Sequence, residues 1–248
     1  MARSTTIRNS TRSWLHRAAR VLAGAAVIGV AGCAGNLPAP AGAPVADPQA
    51  AAAELQRASL PDSPRQATFG WELNEAGSRL SGRGVVRYEA PERLRLDLFG
   101  PRGETYLAAA LVGDTFRIPN EAASPVAFPS PVLLWAALGV VRPPTDAQLV
   151  SATSTEQELI VRYAAAEGEL FEFRADNAPG EMRLRRVERL GRSGVLESVQ
   201  VSWTAAHTPE HARYRDVAAY RELVLTTEEI CDVPSFPGEV WRPTGTAR

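Results

Sequence analysis

Two histidines near the C-terminus have the spacing of a zinc-binding motif. His207, Glu210 and His211 fit the pattern H-x-x-E-H of one class of zinc protease. That chemistry needs a continuous helix, so that both imidazoles lie on one face, and Pro209 inside the segment disfavours a helix. No third ligand is evident, and no serine lies in a G-x-S-x-G turn. We therefore expect no catalytic residue, no metal site and no cofactor, and a protein that is not an enzyme.

A second reactive group is the thiol of Cys33, which follows a segment with the layout of a secretion signal. Five arginines precede an apolar run over residues 21–30, with no acidic residue. The run is shorter than the ~20 apolar residues of a membrane-spanning helix. Residues 30–33 (VAGC) resemble the lipobox of bacterial lipoproteins, which implies an acylated Cys33 and cleavage just before it by signal peptidase II. An ordinary signal peptide with a chance cysteine, or an uncleaved anchor, is the alternative.

The lipobox resemblance also implies a location. Acylated Cys33 would hold the protein in membrane lipid. Alanine rather than aspartate follows it, which by the enteric sorting rule implies an outer-membrane lipoprotein of the cell envelope that faces the periplasm. Removing the five signal arginines from 27 basic residues leaves 22 against 28 acidic ones, a net charge near −6. Without a basic patch, we expect no nucleic-acid partner.

The remaining chain divides by composition. Residues 1–32 form the lipoprotein signal peptide, and residues 33–48 the acylated cysteine with a flexible Ala/Pro tether. Residues 49–242 have the length of one domain, and residues 243–248 form a C-terminal tail. The domain begins with a helix-favouring stretch over residues 49–57.

Alternating apolar and polar residues predict an antiparallel β fold. Between residues 80 and 116 four strands are separated by short turns, as at Gly100-Pro101-Arg102-Gly103, and such short breaks favour a meander. Further strands are predicted over residues 65–74, 159–163, 170–174, 182–187, 195–203 and 220–226. Residues 230–241 read as a Pro-punctuated tail, with Cys231 as a partly buried filler, and lone carboxylates are expected on solvated strand faces.

One predicted helix differs from the rest of the domain. Residues 131–141 are apolar on every side, with Ser130 as N-cap and Pro131 at the first helical position. A helix of this kind is buried on several sides. It could be an ordinary core plug or a cover over the open side of a curved sheet.

The strand pattern resembles a known family. Residues 81–98 (SGRGVVRYEAPERLRLDL) and 100–103 (GPRG) are similar to the LolA/LolB group of lipoprotein carriers and receptors. The resemblance covers residues 50–242 in layout and is specific over residues 66–118. It implies a mainly β fold, an incomplete, half-open antiparallel β-barrel with a short helix lid or plug, and a role in lipoprotein or lipid transport. It also implies a membrane-facing loop that contains Phe99 and Arg102. Arg102 stands at the position where LolB receptors have an apolar residue.

The resemblance favours the helix as a cover and implies a cavity for the acyl chains of lipid or lipoprotein, with a periplasmic carrier protein as a further partner. The candidate lining residues are apolar or aromatic and are Trp71, Leu73, Val86, Tyr88, Leu94, Leu96, Leu98, Phe116, Leu134, Trp135, Leu138, Phe171, Phe173, Val201 and Trp203. The alternative is a structural or partner-binding envelope lipoprotein of the same fold with a filled cavity.

Overall fold

The computed structural model describes residues 39–119, 129–165, 168–178 and 182–243. The predicted signal peptide, the lipidation site at Cys33 and most of the C-terminal tail lie outside these residues. No helix in the described ranges is long and apolar enough to cross a membrane.

Thirteen strands and two short helices make up the described part of the domain. The helices are α1 (Pro48–Ala58) and α2 (Pro131–Ala137), and a 3₁₀ turn covers Gly238–Trp241. The strands are β1 (Ala43–Pro44), β2 (Arg65–Glu75), β3 (Ser78–Glu89), β4 (Arg93–Phe99), β5 (Thr105–Val112), β6 (Thr115–Arg117), β7 (Gln148–Ser154), β8 (Glu158–Ala164), β9 (Leu170–Asp176), β10 (Leu184–Gly191), β11 (Gly194–Trp203), β12 (Pro209–Asp216) and β13 (Arg221–Asp232).

The strands form one open antiparallel sheet. Its order is β1-β7-β8-β9-β10-β11-β12-β13-β2-β3-β4-β5-β6, so two meanders, β2–β6 and β7–β13, meet at a seam between β13 and β2. Short strands β1 and β6 are its two edges, and the described residues do not pair them with each other. The predicted mainly β, incomplete antiparallel fold with short helices is therefore confirmed.

One face of the sheet is apolar and the other is charged, as period-two alternation requires. On β4, Leu94 and Leu98 are 1% exposed and point inward. The intervening Asp97 points outward and receives hydrogen bonds from Arg87 at 3.0 Å and Arg95 at 2.8 Å. The inner faces of the two meanders carry two buried apolar clusters, and α2 contributes side chains to both.

Helix α1 begins with a capping interaction. The side chain of Asp47 accepts a hydrogen bond from the amide of Ala50 at 2.9 Å, and Pro48 occupies the first turn. Ala52 and Leu55 are buried against the apolar cluster on the inner face of β7–β12. Gln56 donates to the Tyr163 hydroxyl at 3.0 Å, which fixes the helix over β8.

Helix α2 ends four residues earlier than the sequence suggested. Gly139 has φ +78°, its amide donates to the carbonyl of Ala136 at 2.8 Å, and the Val140 amide donates to that of Trp135 at 3.1 Å. This pair of bonds is a Schellman C-cap, for which glycine is the favoured residue. Residues 138–141 therefore leave the helix and turn along the sheet.

Several other sequence-based expectations are corrected. Strands β7 and β12 were not predicted, and β13 extends to Asp232 rather than ending at Thr226. Strand β1 lies within the stretch read as tether, where Thr153 Oγ1 donates to the carbonyl of Ala41 at 2.7 Å. Cys231 is exposed and not a core filler, because it lies on β13 at a position that faces solvent.

Candidate functional site

The interior between the sheet and α2 is the candidate site. Five consecutive residues of α2, Val132–Ala136, are buried. Val132, Leu133 and Ala136 pack into the cluster of β7–β12, whereas Leu134 and Trp135 pack into the cluster of β2–β5. The helix therefore lies between the inner faces of the two meanders, which explains why no side of it is polar.

All fifteen predicted lining residues belong to, or pack against, these two clusters. Those of the β2–β5 cluster are Trp71, Leu73, Val86, Tyr88, Leu94, Leu98, Leu134 and Trp135, with Leu96, Phe116 and Leu138 partly buried against it. Those of the other cluster are Phe171, Phe173 and Val201, with Trp203 partly buried against it. Their positions suit a lining, and equally suit an ordinary core.

Beneath α2 the interior is nearly full. A cavity of about 40 Å³ lies between α2 and strands β2–β5, β12 and β13, with an entirely apolar surface. It is lined in part by the predicted residues Val86, Leu96 and Leu98, and in part by inward residues that the sequence reading missed, among them Leu133 and Leu223. Such a volume holds about one water, whereas ligand pockets usually measure about 300–1,000 Å³. In this conformation the side chains of α2 fill most of the space between the two inner faces.

A larger cavity opens at one end of the strands, beside the C-terminus of α2. This mouth measures about 630 Å³, and Tyr88, Leu138 and Trp203 form part of its wall. Trp203 Nε1 donates to the carbonyl of Leu184 at 2.7 Å, which holds the indole in place. Burial raises the pKa of the Tyr88 phenol, so this wall stays neutral well above neutral pH.

The rim of the mouth is charged. Its basic residues are Arg65, Arg183 and His207, and its acidic residues are Glu54 and Asp62. Arg183 Nη2 lies 2.7 Å from His207 Nε2. An apolar wall with a polar rim suits an amphipathic ligand whose charged end stays in water.

Trp135 is the most unusual residue of α2. Its side chain is 0% exposed, and its Nε1 has no hydrogen-bond partner within the described residues. A buried donor without an acceptor costs about 1–3 kcal/mol. The packed position of α2 is therefore less stable than its apolar contacts alone would make it.

At the opposite end of the strands the inner face becomes polar. Tyr214 donates a hydrogen bond to Glu197, which Arg189 Nε approaches at 2.6 Å, and Arg221 Nε donates to Glu75 at 3.0 Å. Burial, followed by the bond to the Glu197 carboxylate, raises the pKa of Tyr214 well above its ordinary value. The sequence reading missed this row, although the charged residues that interrupt the apolar alternation of β10, β11 and β13 were a visible signal.

The predicted membrane-facing loop lies at this polar end, away from the mouth. Arg102 is exposed, and its amide donates to Glu104 Oε2 at 2.9 Å. Gly103 has φ +84° and its amide donates to the carbonyl of Gly100 at 3.0 Å, which closes the turn. Phe99 is partly buried at the end of β4, so the exposed tip of the loop is polar.

The histidines do not form the metal motif. His207 lies in the turn before β12 with φ +63°, whereas His211 lies on β12 itself. The helical context that H-x-x-E-H requires is therefore absent. Across the described ranges, no three histidine, cysteine or carboxylate side chains are grouped closely enough to hold a metal ion.

The fold is similar to that of solved structures over most of the chain. A LolA superfamily protein from Nitrosomonas europaea superimposes with TM-score 0.54 and 12% identity, over 77% of this chain and 96% of that chain. A putative outer membrane lipoprotein-sorting protein domain from Vibrio parahaemolyticus superimposes with TM-score 0.50 and 11% identity, over 79% and 97% respectively. A chain of the Pseudomonas aeruginosa MucA/MucB complex reaches only TM-score 0.27 at 13% identity, over 75% and 94%, and carries no argument.

Comparison of the sequence alone found no similar protein. No protein-family model matches the chain, and no curated protein matches it. The described domain therefore has a LolA-like fold, which it shares with a LolA superfamily protein and a lipoprotein-sorting domain at low sequence identity.

Proposed function

We propose that this protein is an outer-membrane lipoprotein that binds acyl chains of lipids or lipoproteins between its sheet and α2. The LolA-like fold suggests an envelope role in lipoprotein or lipid binding. The lipobox-like residues 30–33 and the preceding signal-like segment support anchoring through Cys33. A periplasmic carrier protein is the partner we expect to deliver or receive the cargo.

The observation that carries the proposal is the burial of α2. A seven-residue helix is too short to be stable by itself, so its position depends on packing. Displacing it exposes apolar surface of the sheet, and an acyl chain in its place would cover that surface again. At about 25 cal/mol per Å², equal areas make the two states differ by only a few kcal/mol. Trp135 Nε1, which has no hydrogen-bond partner among the described residues, favours the exchange further, because it gains water when α2 moves out.

The mouth provides the entry. Its aromatic wall adjoins Leu138, which also lines the small cavity beneath α2, so an acyl chain entering there reaches the helix directly. Gly139, in the turn at the end of α2, also lines the mouth. We expect α2 to swing about this turn as the chain enters.

Binding of a fluorescent fatty acid to the full chain tests the proposal. Leu134→Asp should weaken binding at least about tenfold, because one charge in an apolar site costs more than 1.4 kcal/mol. Leu138→Asp, at the partly exposed mouth, should act in the same direction with less effect on folding. Val150→Asp is the matched control, since Val150 is 56% exposed on β7, and it should change binding less than twofold.

The alternative function is a structural or partner-binding lipoprotein whose cavity stays filled. The small volume beneath α2 favours this alternative. It is correct if neither the parent chain nor Leu138→Ala binds fatty acid or an apolar dye at micromolar concentrations.

Membrane anchoring is tested separately by metabolic labelling with palmitate. Cys33→Ser should abolish labelling and cleavage by signal peptidase II, whereas Cys231→Ser should leave both unchanged. Labelling that persists in Cys33→Ser would rule out the lipobox interpretation.

A further inference from the structure

We infer that the outer face of strands β10–β13 is a docking site for an extended, acidic segment of another protein, bound by Arg213 and Arg186. This face is opposite to the one that α2 covers, so this inference does not depend on the proposed acyl-chain site. Its basis is the balance of charges and unpaired donors across one row of the sheet.

The row crosses four neighbouring strands. Arg186 of β10 pairs in register with Gln200 of β11, Gln200 with Arg213 of β12, and Arg213 with Val224 of β13. Because strands lie about 4.8 Å apart, the two arginines are about 10 Å apart along the row. They line a shallow depression of about 690 Å³ on the outer face.

Most cations around the depression are already neutralised. Arg174 pairs with Glu172 and with Glu158 at 3.2 Å, and Arg186 Nη2 pairs with Glu188. Arg185, also at the depression, pairs with Asp176 at 2.8 Å. The fourth arginine of the group has no such contact with a carboxylate of the described residues.

That fourth arginine is Arg213. It is exposed and makes no hydrogen bond or ion pair with any residue in the described ranges. Two buried donors beside it also lack partners there, Arg186 Nε and the Ser202 hydroxyl. An unpaired guanidinium, a free Nε–H, a hydroxyl and the Gln200 amide thus face one depression, and together they are suited to bind anions.

Carboxylates fit this arrangement better than phosphate. Phosphate sites are commonly built from backbone N–H groups. Here the strand pairs β10–β11, β11–β12 and β12–β13 use the backbone groups of the row in the sheet itself. A guanidinium binds either anion through two parallel hydrogen bonds, so the preference for carboxylate rests on the lack of available backbone donors in this row. Glutamates two residues apart on an extended chain are about 6.7 Å apart, and their flexible side chains can reach both arginines.

A membrane surface fits less well. Glu210 adjoins His211, which lines the depression, and the Glu210 side chain is 50% exposed. An anionic bilayer would be repelled by this carboxylate. A narrow segment can follow the row of arginines without meeting it, so the occupant we assign is a protein segment rather than a lipid surface.

The test is fluorescence anisotropy of the full chain with a labelled eight-residue peptide of alternating Glu and Ser, at low salt. Replacing glutamate by glutamine in the peptide should abolish binding. Arg213→Gln should weaken binding about fivefold. Arg215→Gln is the matched control, because Arg215 lies on the same strand and face but is paired with Glu222 at 2.6 Å, and it should change binding less than twofold.

Four results would overturn the inference. The first is no binding of the glutamate peptide, and the second is equal binding of the glutamine peptide. The third is an equal loss in Arg215→Gln. The fourth is Arg213-dependent binding of inorganic phosphate, or of phosphatidylglycerol vesicles, that displaces the peptide. Fatty-acid binding should be the same in Arg213→Gln and the parent chain, so a failure here is distinct from a failure of the acyl-chain site.

Discussion

Replacing Gly139 by alanine should destabilise the domain through one identifiable contact. Gly139 has φ +78°, and a methyl group added there would lie 2.4 Å from Cη2 and 2.8 Å from Cζ2 of Trp203. The indole cannot swing away freely, because its Nε1 donates to the carbonyl of Leu184 at 2.7 Å. The substitution therefore combines backbone strain with a steric clash.

The two costs can be estimated separately. A non-glycine residue in the left-handed region costs about 1–2 kcal/mol. Forcing an extra methyl group into packed surroundings costs about 1–3 kcal/mol more. The free energy of unfolding should fall by about 2–5 kcal/mol, which for a domain of this length lowers the Tm by roughly 5–15 °C.

Gly77→Ala is the matched control for the backbone term. Gly77 has φ +86°, but nothing lies within 4 Å of the added methyl group. Urea unfolding should show a loss of only about 1–2 kcal/mol for this variant. Trp203→Phe, which lacks the second ring, should remove most of the extra cost of Gly139→Ala in a double-mutant cycle. Equal losses in the two glycine variants, or no coupling to Trp203, would refute the clash.

Three other outcomes follow from buried polar groups and close backbone contacts. Glu172→Ala should lower the free energy of unfolding in urea by about 3–5 kcal/mol, because Glu172 is 1% exposed between Arg162 and Arg174. Glu72→Ala is the control and should cost under about 1 kcal/mol, because the pair of Glu72 with Arg79 is exposed. The pKa of Tyr214 is higher in the folded state than in the unfolded state, so its contribution to the free energy of unfolding is complete below the unfolded pKa near 10 and is lost as the pH rises above that value. In urea titrations between pH 9 and 11, Tyr214→Phe should therefore lose less stability than the parent chain. Gly82→Ala should unfold the domain at room temperature by circular dichroism, because its Cβ would lie 1.9 Å from a carbonyl oxygen.

The local pattern was enough to predict the first meander. Strands β2–β4 alternate apolar or small residues with polar ones, and short turns that contain glycine or proline separate them. Such a pattern can be recognised without information from elsewhere in the chain. The inward positions of Trp71, Leu94 and Leu98 followed from the same alternation. The N-terminus of α2 was also predictable, because Ser130 and Pro131 are local signals.

The missed strands are those that depend on their neighbours. In β12 only Ala212 and Tyr214 are both inward and apolar, so the segment has little hydrophobic signal of its own and is held by β11 and β13. Strand β1 is two residues long, and it forms because the edge of β7 is available to it. No property of residues 43–44 alone could indicate that.

The buried charges were likewise beyond the sequence reading. Glu172 was expected on a solvated face, and it does lie on the outer face, but Arg162 and Arg174 on either side cover it. Whether an outward carboxylate is buried depends on which cross-strand neighbours it has, and these were unknown until the register was. The unpaired state of Arg213, on which the docking inference depends, follows from the same register.

The seam between β13 and β2 has a consequence for the order in which the protein folds. Arg221 and Glu75, which pair across it, are 146 residues apart in the chain, whereas every other strand pair except β1–β7 joins consecutive strands. Closing so long a loop is entropically costly and slow, so the two meanders should form first and the seam last. Until β13 is available, β2 is an unprotected edge that carries Phe69 and Trp71. A chain cut before residue 221 should therefore aggregate rather than fold into a smaller version of the domain.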